Sequence, residues 1–584
     1  MILRALADYY GRLAEDSTVE IAPFGFERKA INFLITVDLD GSFIDLIDAR
    51  EGTGRKRKGR VTLVPKAVKR TVGVAANVLW DTAPYVLGRA LPEKGKDLER
   101  QSARAVQQHD AFIQRIRETF SGCDDPGIRA VRLFLDSGEA TAVFSHLVWQ
   151  EVEENGGSLS FILSGDSQLV CQRPAVVEAF LAAERPSEEV QVCSVSGRPD
   201  VPAKLHTSIK GVWGAQSSGA NIVSFNLDSF RSYGKKQGFN APVGRQTEFA
   251  YTTALNYLLA SDRQRMQVGD ASTVFWAKES CDLESDFYAL IGQPKKGEET
   301  ISYEKIRSLL SAVKTGIPPE ESTILFYVLG LAPNASRIAV RFWYEGNVKE
   351  IKERIAEHFR DIEIVRASFD QEFLSLFQLL LSTATAHKAE NIAPNVGGEL
   401  ARAVLMGQPY PRTLFANAIR RCKAEQKIDF ARAAIIKGFL ARTARLSRTT
   451  NKEVSVALDR EYDNMGYVLG RLFAVLERVQ KQAQGGGLKK TIRDTYFGAA
   501  TSSPLVTFRR LQDLAIHHLA KIRNGGKSTV WLERLLGEVN GLLPPSGIPA
   551  TLPMDDQGRF AIGYYHQHQD FFSKKANEDE GGEA

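Results

Sequence analysis

The sequence has few of the residue patterns that mark catalytic or metal-binding proteins. Its five cysteines are widely separated and form no Cys-x-x-Cys pair, which argues against a zinc ribbon. In a chain of 584 residues they are also too sparse for a disulfide framework, so we expect a reducing, cytoplasmic environment. Gly-x-Ser-x-Gly, His-Glu-x-x-His and cysteine–histidine nucleophile patterns are all absent.

Long apolar runs and a strong charge imbalance are missing as well. No run reaches the roughly 18–20 apolar residues of a membrane-spanning helix. The first residues include an early acid, Asp8, and no long apolar segment, so we expect neither a membrane span nor a signal peptide. The chain has 75 basic and 70 acidic residues, and because its net charge is only +5, the distribution of charge is more informative than the sum.

The hydrophobic periodicity predicts an α+β protein. We expect a mixed α/β amino-terminal region (1–348), a helical region (349–452) and a carboxyl-terminal segment (453–584) that forms a four-helix bundle. In the first region we predict a short helix, Ile2–Ala14, and a hairpin with its turn at Asp40-Gly41. The predicted strands are Ala30–Val37, Phe43–Ile47, Ile128–Leu135, Ser158–Leu163, Val190–Val195, Asn221–Phe225, Ser272–Trp276, Thr323–Leu329 and Arg337–Trp343.

Helical spacing of apolar residues replaces the strand pattern from about Lys349 onward. The predicted helices before the last segment are Val348–Phe359, Asp370–Thr383, Gly397–Met406, Arg412–Arg421 and Phe430–Ala444. In the last segment, glycine- and proline-containing breaks separate the apolar stripes. They predict four helices, at about 468–479, 508–522, 531–542 and 557–572.

One stretch concentrates positive charge. No acidic residue occurs from Gly52 to Trp80, and a block of like charge is stabilised when a polyanion neutralises it, with strong salt dependence. The alternative is a solvated loop without function. The eight basic residues of this stretch are Arg55, Lys56, Arg57, Lys58, Arg60, Lys66, Lys69 and Arg70.

Three further segments are candidates for nucleic-acid contacts. Asn77 follows the basic stretch in a run of small residues, and its amide can pair with base edges, although such an Asn is more often a cap or turn residue. A glycine-punctuated loop carries Gln216, Ser217 and Ser218, either as a base contact or as a plain turn. Lys235 and Lys236 form a third basic loop.

The patterns that would indicate an enzyme are weak. Gly525-Gly526-Lys527-Ser528 resembles the end of a phosphate-binding loop, but Lys521 stands where the first glycine is required and a helix precedes it. An aspartate cluster surrounds the predicted hairpin turn, where solvated turn residues are more common than nuclease metal ligands. It consists of Asp38, Asp40, Asp45 and Asp48. We therefore predict no catalysis, no metal and no cofactor.

Several strings, in order along nearly the whole chain, together resemble one family. They are RTVG (70–73), NVLWD (77–81), YVLG (85–88), GAQSSG (214–219), VSFN (223–226), SYGKKQG (232–238), AYTTALNYLL (250–259), LGLAPNASRIAVRFW (329–343) and GYVLGRLFAVLE (466–477). This set resembles the large subunit of the type I-C CRISPR surveillance complex (Cascade).

The resemblance implies a non-catalytic DNA-binding subunit in antiviral defense. Such a subunit recognises the protospacer-adjacent motif (PAM) on double-stranded DNA, promotes duplex opening and R-loop formation, contacts the displaced single strand and recruits the helicase–nuclease in trans. Its other partners are the CRISPR RNA ribonucleoprotein with its RNA-processing and backbone subunits. Sequence recognition is delegated to the guide RNA.

Position in the matching strings assigns provisional roles. Asn77 becomes the candidate base contact, and Gln216 with Ser217 and Ser218 the candidate wedge or second contact. Lys66, Lys69 and Arg70 are the candidates for contacts with the adjacent phosphates. The family also often makes a small subunit from an internal start, and Met465 would begin a 120-residue product. The alternatives are a metal-dependent nuclease that uses the aspartate cluster, or a protein–protein scaffold that binds acidic partners.

Overall fold

The computed structural model describes the chain in ten ranges: residues 2–52, 57–68, 70, 73–92, 97–183, 190–293, 299–316, 322–447, 453–485 and 490–579. Two compact units can be distinguished. The first consists mainly of Leu3–Thr207 and Val223–Ala254, and the second mainly of Ser208–Ile222 and Leu255–Ala584. The division at residues 348 and 452 stays a prediction. None of the described helices is long and apolar enough to cross a membrane.

Small sheets organise the first unit. One has the strand order β3-β2-β7-β6, another the order β1-β5-β4, and β8 pairs with β9. The predicted hairpin is confirmed, since β2 and β3 are antiparallel on either side of the Asp40-Gly41 turn. The strands are β1 (Phe26–Ile31), β2 (Phe33–Val37), β3 (Phe43–Asp48), β4 (Arg50–Glu51), β5 (Lys58–Pro65), β6 (Trp80–Thr82), β7 (Ser158–Leu163), β8 (Gln191–Val192) and β9 (Pro199–Asp200).

Several helices in the chain up to residue 260 pack against these strands. Helix α1 confirms the predicted amphipathic helix at the start of the chain. The helices are α1 (Ile2–Glu15), α2 (Ala83–Val86), α3 (Leu98–Thr119), α4 (Pro126–Ser137), α5 (Ala140–Val143), α6 (Trp149–Asn155), α7 (Pro174–Ala183) and α8 (Arg245–Ala260).

Two predicted strands are wrong. Ile128–Leu135 lies inside helix α4, because Asp125 caps the helix by accepting the backbone N–H of Gly127 at 2.8 Å and Pro126 occupies the first turn. The buried apolar residues of α4 recur at helical spacing. A short apolar run has a composition that fits a strand equally well, which is why the sequence pattern was ambiguous here. The predicted strand Asn221–Phe225 is also wrong, since this segment has only an isolated bridge at Asn221. The predicted strand Val190–Val195 is confirmed only for the two residues of β8.

The second unit combines one antiparallel sheet with many helices. The sheet has the strand order β10-β11-β12-β13, and it confirms the three predicted strands between Ser272 and Trp343. After β13 the described residues contain helices and no strand, as the periodicity predicts. The strands are β10 (Arg265–Val268), β11 (Ala271–Ala277), β12 (Leu325–Asn334) and β13 (Arg337–Asn347).

The helices of the second unit confirm the helical part of the fold, including its terminal bundle. All four helices predicted for the last segment are present, and a short fifth one, α17, lies between the first two. The helices are α9 (Asp282–Ile291), α10 (Glu299–Thr315), α11 (Val348–Ile362), α12 (Leu376–Thr383), α13 (Val396–Met406), α14 (Arg412–Glu425), α15 (Phe430–Ser447), α16 (Met465–Gln484), α17 (Ile492–Ser502), α18 (Pro504–Asn524), α19 (Val530–Gly541) and α20 (Met554–Asp579).

Glycines set the closest helix contact of the bundle. Helix α16 is almost wholly buried, and α20 packs directly against it. A Cβ added at Gly470 would lie 2.0 Å from the carbonyl oxygen of Phe560, and one at Gly563 would lie 2.1 Å from that of Tyr467. The two backbones therefore touch at positions where any side chain would push the helices apart.

We predict that Gly470→Ala destabilises the protein by about 1–3 kcal/mol, because the new methyl group would meet α20 backbone that cannot yield locally. The measurement is the thermal unfolding midpoint. Gly498→Ala in α17 is the matched control, since nothing lies within 4 Å of that position and replacing a helical glycine gains about 0.5–1 kcal/mol. Equal midpoints for the two variants would contradict the close contact.

Candidate nucleic-acid interface

The basic stretch lies on and beyond strand β5. Lys58 and Arg60 are exposed on β5, two residues apart and therefore on one face of the strand. Neither forms an ion pair with a described residue, although Glu51 lies opposite Lys58 in the β4–β5 register. Arg57 is neutralised by Asp48 at 2.8 Å. Three predicted contact residues lie outside the described part of the chain: Arg55, Lys56 and Lys69.

A buried carboxylate organises the segment that follows. Asp81 is 2% exposed, and one of its oxygens accepts the backbone N–H of Asn77 at 3.0 Å and pairs with the guanidinium of Arg70. Its other oxygen accepts the N–H of Thr82 at 2.8 Å. The Arg70 guanidinium also lies 4.1 Å from the ring centroid of Tyr85. Arg70 therefore stabilises this segment through its contacts with Asp81 and Tyr85, and one-third of its side chain is exposed.

Asn77 holds the end of the basic stretch. Its side chain is 4% exposed, and its Oδ1 accepts the backbone N–H of Val68 at 3.0 Å. Close by, the indole of Trp80 donates to the carbonyl oxygen of Pro65 at 2.7 Å. These bonds tie the residues after β5 to β6. Because only 4% of Asn77 is exposed, a base could reach its amide only after the surrounding chain moved, so the structure gives Asn77 a positioning role in the free protein.

A cleft of about 400 Å³ beside Lys66 is lined by cations from distant parts of the sequence. Lys66, Arg115, Lys204 and Arg245 line it, beside one carboxylate, Glu248. The ammonium of Lys66 lies 3.6 Å from Glu248 and 5.1 Å from the ring centroid of Phe249. The second oxygen of Glu248 accepts the N–H of Thr207 at 2.6 Å. Cations therefore outnumber the carboxylate, which favours an anionic ligand.

The glycine-punctuated loop belongs to the second unit and is braced at its base. Ile209 and Ala220 exchange backbone hydrogen bonds of 2.8 and 3.0 Å, and the N–H of Trp213 donates to Ser272 Oγ at 2.9 Å. Gly219 has φ +91°, where a side chain would collide with the Ile209 carbonyl. The loop presents exposed Gln216, Ser217 and Ser218, and a Trp213 side chain that is 56% exposed.

Lys235 and Lys236 lie in the first unit, on a loop that runs from Ser232 to Asn240. Both side chains are exposed. Sequence analysis identified the two lysines but not their neighbour Tyr233, whose exposure is a property of the folded loop. The cleft residues Arg115, Lys204 and Arg245 were also missed, because they share no local motif.

The aspartates of the possible nuclease site are engaged separately. Hydrogen bonds from Ser42 lower the pKa of Asp40, and hydrogen bonds from Arg50 lower that of Asp48. Asp45 lies 3.1 Å from the imidazole of His146. Within the described ranges, no group of three His, Cys, Asp or Glu side chains could hold a metal ion. The hairpin therefore uses these carboxylates mainly as turn and ion-pair residues.

Comparison with known proteins supplies the family. A family model described as CRISPR-associated protein (Cas_Csd1) matches residues 6–572, which is nearly the whole chain. The chain belongs to this family. No curated protein matches it.

Membership in the Cas_Csd1 family supports a subunit of a Cascade-type CRISPR complex. The match does not assign roles to single residues, so the contacts predicted for Asn77, for the lysines and arginines and for the Gln216 loop stay predictions.

We predict that Asn77→Ala destabilises the protein by about 0.5–1.5 kcal/mol, because the partly buried N–H of Val68 loses its hydrogen bond to Asn77 Oδ1. Hydrogen exchange at the Val68 amide should quicken together with the fall in unfolding midpoint. Asn155→Ala, at an exposed asparagine in α6, is the control and should change stability by less than about 0.5 kcal/mol. Unchanged exchange at Val68 would remove Asn77 from its positioning role.

Proposed function

We propose that this Cas_Csd1 protein is the large subunit of a type I-C CRISPR surveillance complex and that it binds target DNA without cutting it. It recognises the PAM on double-stranded DNA, promotes duplex opening and R-loop formation, and recruits the helicase–nuclease in trans. It works in the cytoplasm with the CRISPR RNA ribonucleoprotein and its RNA-processing and backbone subunits. The observation that supports this most is the collection of cations around the end of β5 in the first unit.

The cations of this region fall into two groups with different roles. Arg57 and Arg70 are paired with carboxylates and keep the scaffold in place. Lys58 and Arg60 are exposed on one face of β5, and Lys66 opens onto the basic cleft. We assign the phosphate contacts to this second group. Lys58 and Arg60 pair with no described carboxylate, and Lys66, which lies 3.6 Å from Glu248, opens onto a cleft in which cations outnumber that carboxylate.

Base recognition is assigned to uncharged side chains. Asn77 is 4% exposed and its Oδ1 accepts the N–H of Val68, so it reaches a base edge only if the loop after β5 moves away from it. In the second unit, the braced loop with Gln216, Ser217 and Ser218 offers amide and hydroxyl groups for a wedge or a second contact. Selection of preferred duplexes from a library with randomised flanking sequence, using the assembled complex, measures the PAM directly.

We predict that replacing Lys58 and Arg60 with Ala together weakens binding to a labelled DNA duplex and reduces the slope of log K against log salt by up to about two. Fluorescence anisotropy across a salt series measures both quantities. Arg57→Ala is the matched control and should leave the slope nearly unchanged, since Asp48 already neutralises Arg57.

The same titrations separate the proposal from its alternatives. An unchanged slope in the double variant would place the phosphate contacts elsewhere. A chain that binds no DNA at any salt concentration would favour a protein–protein scaffold. DNA cleavage in Mg²⁺ or Mn²⁺ that Asp38→Ala abolishes would establish a nuclease and overturn the non-catalytic assignment.

We also propose that a separate small subunit is made from Met465. This residue is the first of helix α16, and the five helices that follow it, α16 to α20, pack together as a bundle. A chain that begins at Met465 would lack Asn464, whose side chain accepts the Tyr467 N–H at 3.2 Å and donates to Asp556 at 3.1 Å. The contacts among the five helices would remain, but the first helix would have a weaker cap and α20 would lose its packing against α14 and α15.

We predict that expression of the native gene yields a 120-residue product as well as the full chain. Gel analysis with intact-mass measurement detects it. Met465→Leu should abolish the short product and leave the full chain folded, because leucine is close to methionine in volume and apolarity. Persistence of the short product in this variant would point to proteolysis instead of internal initiation.

A further inference from the structure

The loop Ser232–Asn240 of the first unit exposes an aromatic ring among positive charges. Tyr233 is 96% exposed, far beyond what is usual for a large aromatic side chain. Lys235 and Lys236 follow it two and three residues later, and both side chains are exposed. No acidic residue occurs in the sequence from Ser229 to Thr247. The loop therefore presents one flat aromatic surface in a locally basic environment.

The loop is held firmly despite its exposure. A single side chain, Asn240, binds three backbone groups: its Oδ1 accepts the N–H of Ser232 at 2.9 Å, and its Nδ2 donates to the carbonyl oxygens of Gln237 at 2.8 Å and Lys235 at 3.3 Å. Gly238 donates to the carbonyl oxygen of Lys204 at 3.0 Å. The loop is thus pinned from within and at its base.

Close packing at Gly238 adds to this anchoring. A Cβ at this position would lie 2.0 Å from the carbonyl oxygen of Ala203, so the loop backbone rests directly on the 203–204 segment. The side chain of Lys204 lines the basic cleft. The exposed tyrosine and the cleft are therefore built on neighbouring backbone of the same unit.

The conformation of Tyr233 is costly. Its φ is +51°, and Gln237 of the same loop has φ +48°, both in the left-handed region that non-glycine residues avoid at a cost of roughly 1 kcal/mol each. A glycine at position 233 would adopt this backbone without strain. Since the ring gains almost no burial within the protein, neither stability nor packing explains a tyrosine there.

We propose that Tyr233 is a stacking platform for an unpaired nucleobase, with Lys235 and Lys236 holding the flanking phosphates. Aromatic rings beside lysines bind single-stranded nucleic acid because every base has a π face and every linkage a negative charge. The local positive charge favours this ligand over a hydrophobic protein partner. The inference rests on this loop and is independent of duplex recognition by the residues around β5.

The test uses the purified full chain and a fluorescent oligo(dT) of about 15 nucleotides. Tyr233→Gly removes the ring and relieves the strained backbone, so the variant should fold at least as well as the native protein. We expect it to weaken single-strand binding by about 5- to 150-fold, the range of one base–aromatic stack, with little change in salt slope. Tyr233→Phe is the control and should bind as the native protein does.

The lysines give a complementary readout. Replacing Lys235 and Lys236 with Ala should flatten the salt slope for the oligonucleotide by up to about 1.4, the value for two phosphate contacts on a single strand. Lys58 and Arg60 serve as the distinguishing pair: their replacement should weaken duplex binding and leave the effect of Tyr233→Gly on the single strand intact. If replacing Lys58 and Arg60 left duplex binding unchanged while Tyr233→Gly still weakened single-strand binding, the result would contradict the proposed function and not this inference.

Three results would overturn the stacking platform. The first is native affinity of Tyr233→Gly for the oligonucleotide, and the second is a full chain that does not bind single strands. The third is a loss in Tyr233→Phe equal to that in Tyr233→Gly, because a phenyl ring stacks as well as a phenol. Native oligonucleotide binding by Tyr233→Gly, combined with lost association with another subunit of the complex, would identify a protein interface.

Discussion

One buried carboxylate is the constraint on which the candidate interface depends. Asp81 is removed from water, so its charge must be satisfied by the protein, and it receives the N–H groups of Asn77 and Thr82 and the guanidinium of Arg70. These bonds fix the chain from residue 73 to β6. Asn77, once held, binds Val68 and thereby sets the course of the chain as it leaves β5. These contacts shape the chain beside the cleft at Lys66, whereas the exposed cations of β5 are placed by the antiparallel pairing of β5 with β1.

The basic stretch is therefore not a uniform patch of charge. Arg57 and Arg70 carry as much charge as their neighbours, yet each is matched by a carboxylate and has a structural task. The local positive charge has two contributions: the cations of the stretch, of which Lys66 also pairs with Glu248, and three residues distant in sequence that line the cleft, Arg115, Lys204 and Arg245. Counting basic residues along the chain overstates the first contribution and misses the second, because both pairing and clustering are decided by tertiary contacts.

The sequence predicted those parts of the fold in which periodicity is long or turn chemistry is clear. The hairpin at Asp40-Gly41, the strands of the second unit's sheet and the terminal helices are of this kind. Ile128–Leu135 was misassigned because an eight-residue apolar run fits both a strand and a buried helix, and the decisive residues, Asp125 and Pro126, lie outside it. In the site, the nearness of Asn77 to the basic stretch was correctly seen. Its burial was not, because that follows from Asp81 and Val68 and not from local composition.

Two strained residues of the first unit show how strain separates structural from ligand-binding positions. Leu79 has φ +60° and is completely buried, and its carbonyl oxygen accepts the hydroxyl of Ser160 at 3.0 Å, so apolar packing and a hydrogen bond offset the strain. Tyr233 has nearly the same backbone angle, but its ring receives almost no packing, and the loop conformation is maintained by Asn240 instead. Side-chain burial thus accounts for the residue type at position 79 and not at position 233. Nothing among the described residues accounts for a ring exposed to water at a backbone cost that glycine would avoid. This is the basis for proposing a contact outside the chain, and the basic surroundings of the ring favour a negatively charged polymer with flat bases.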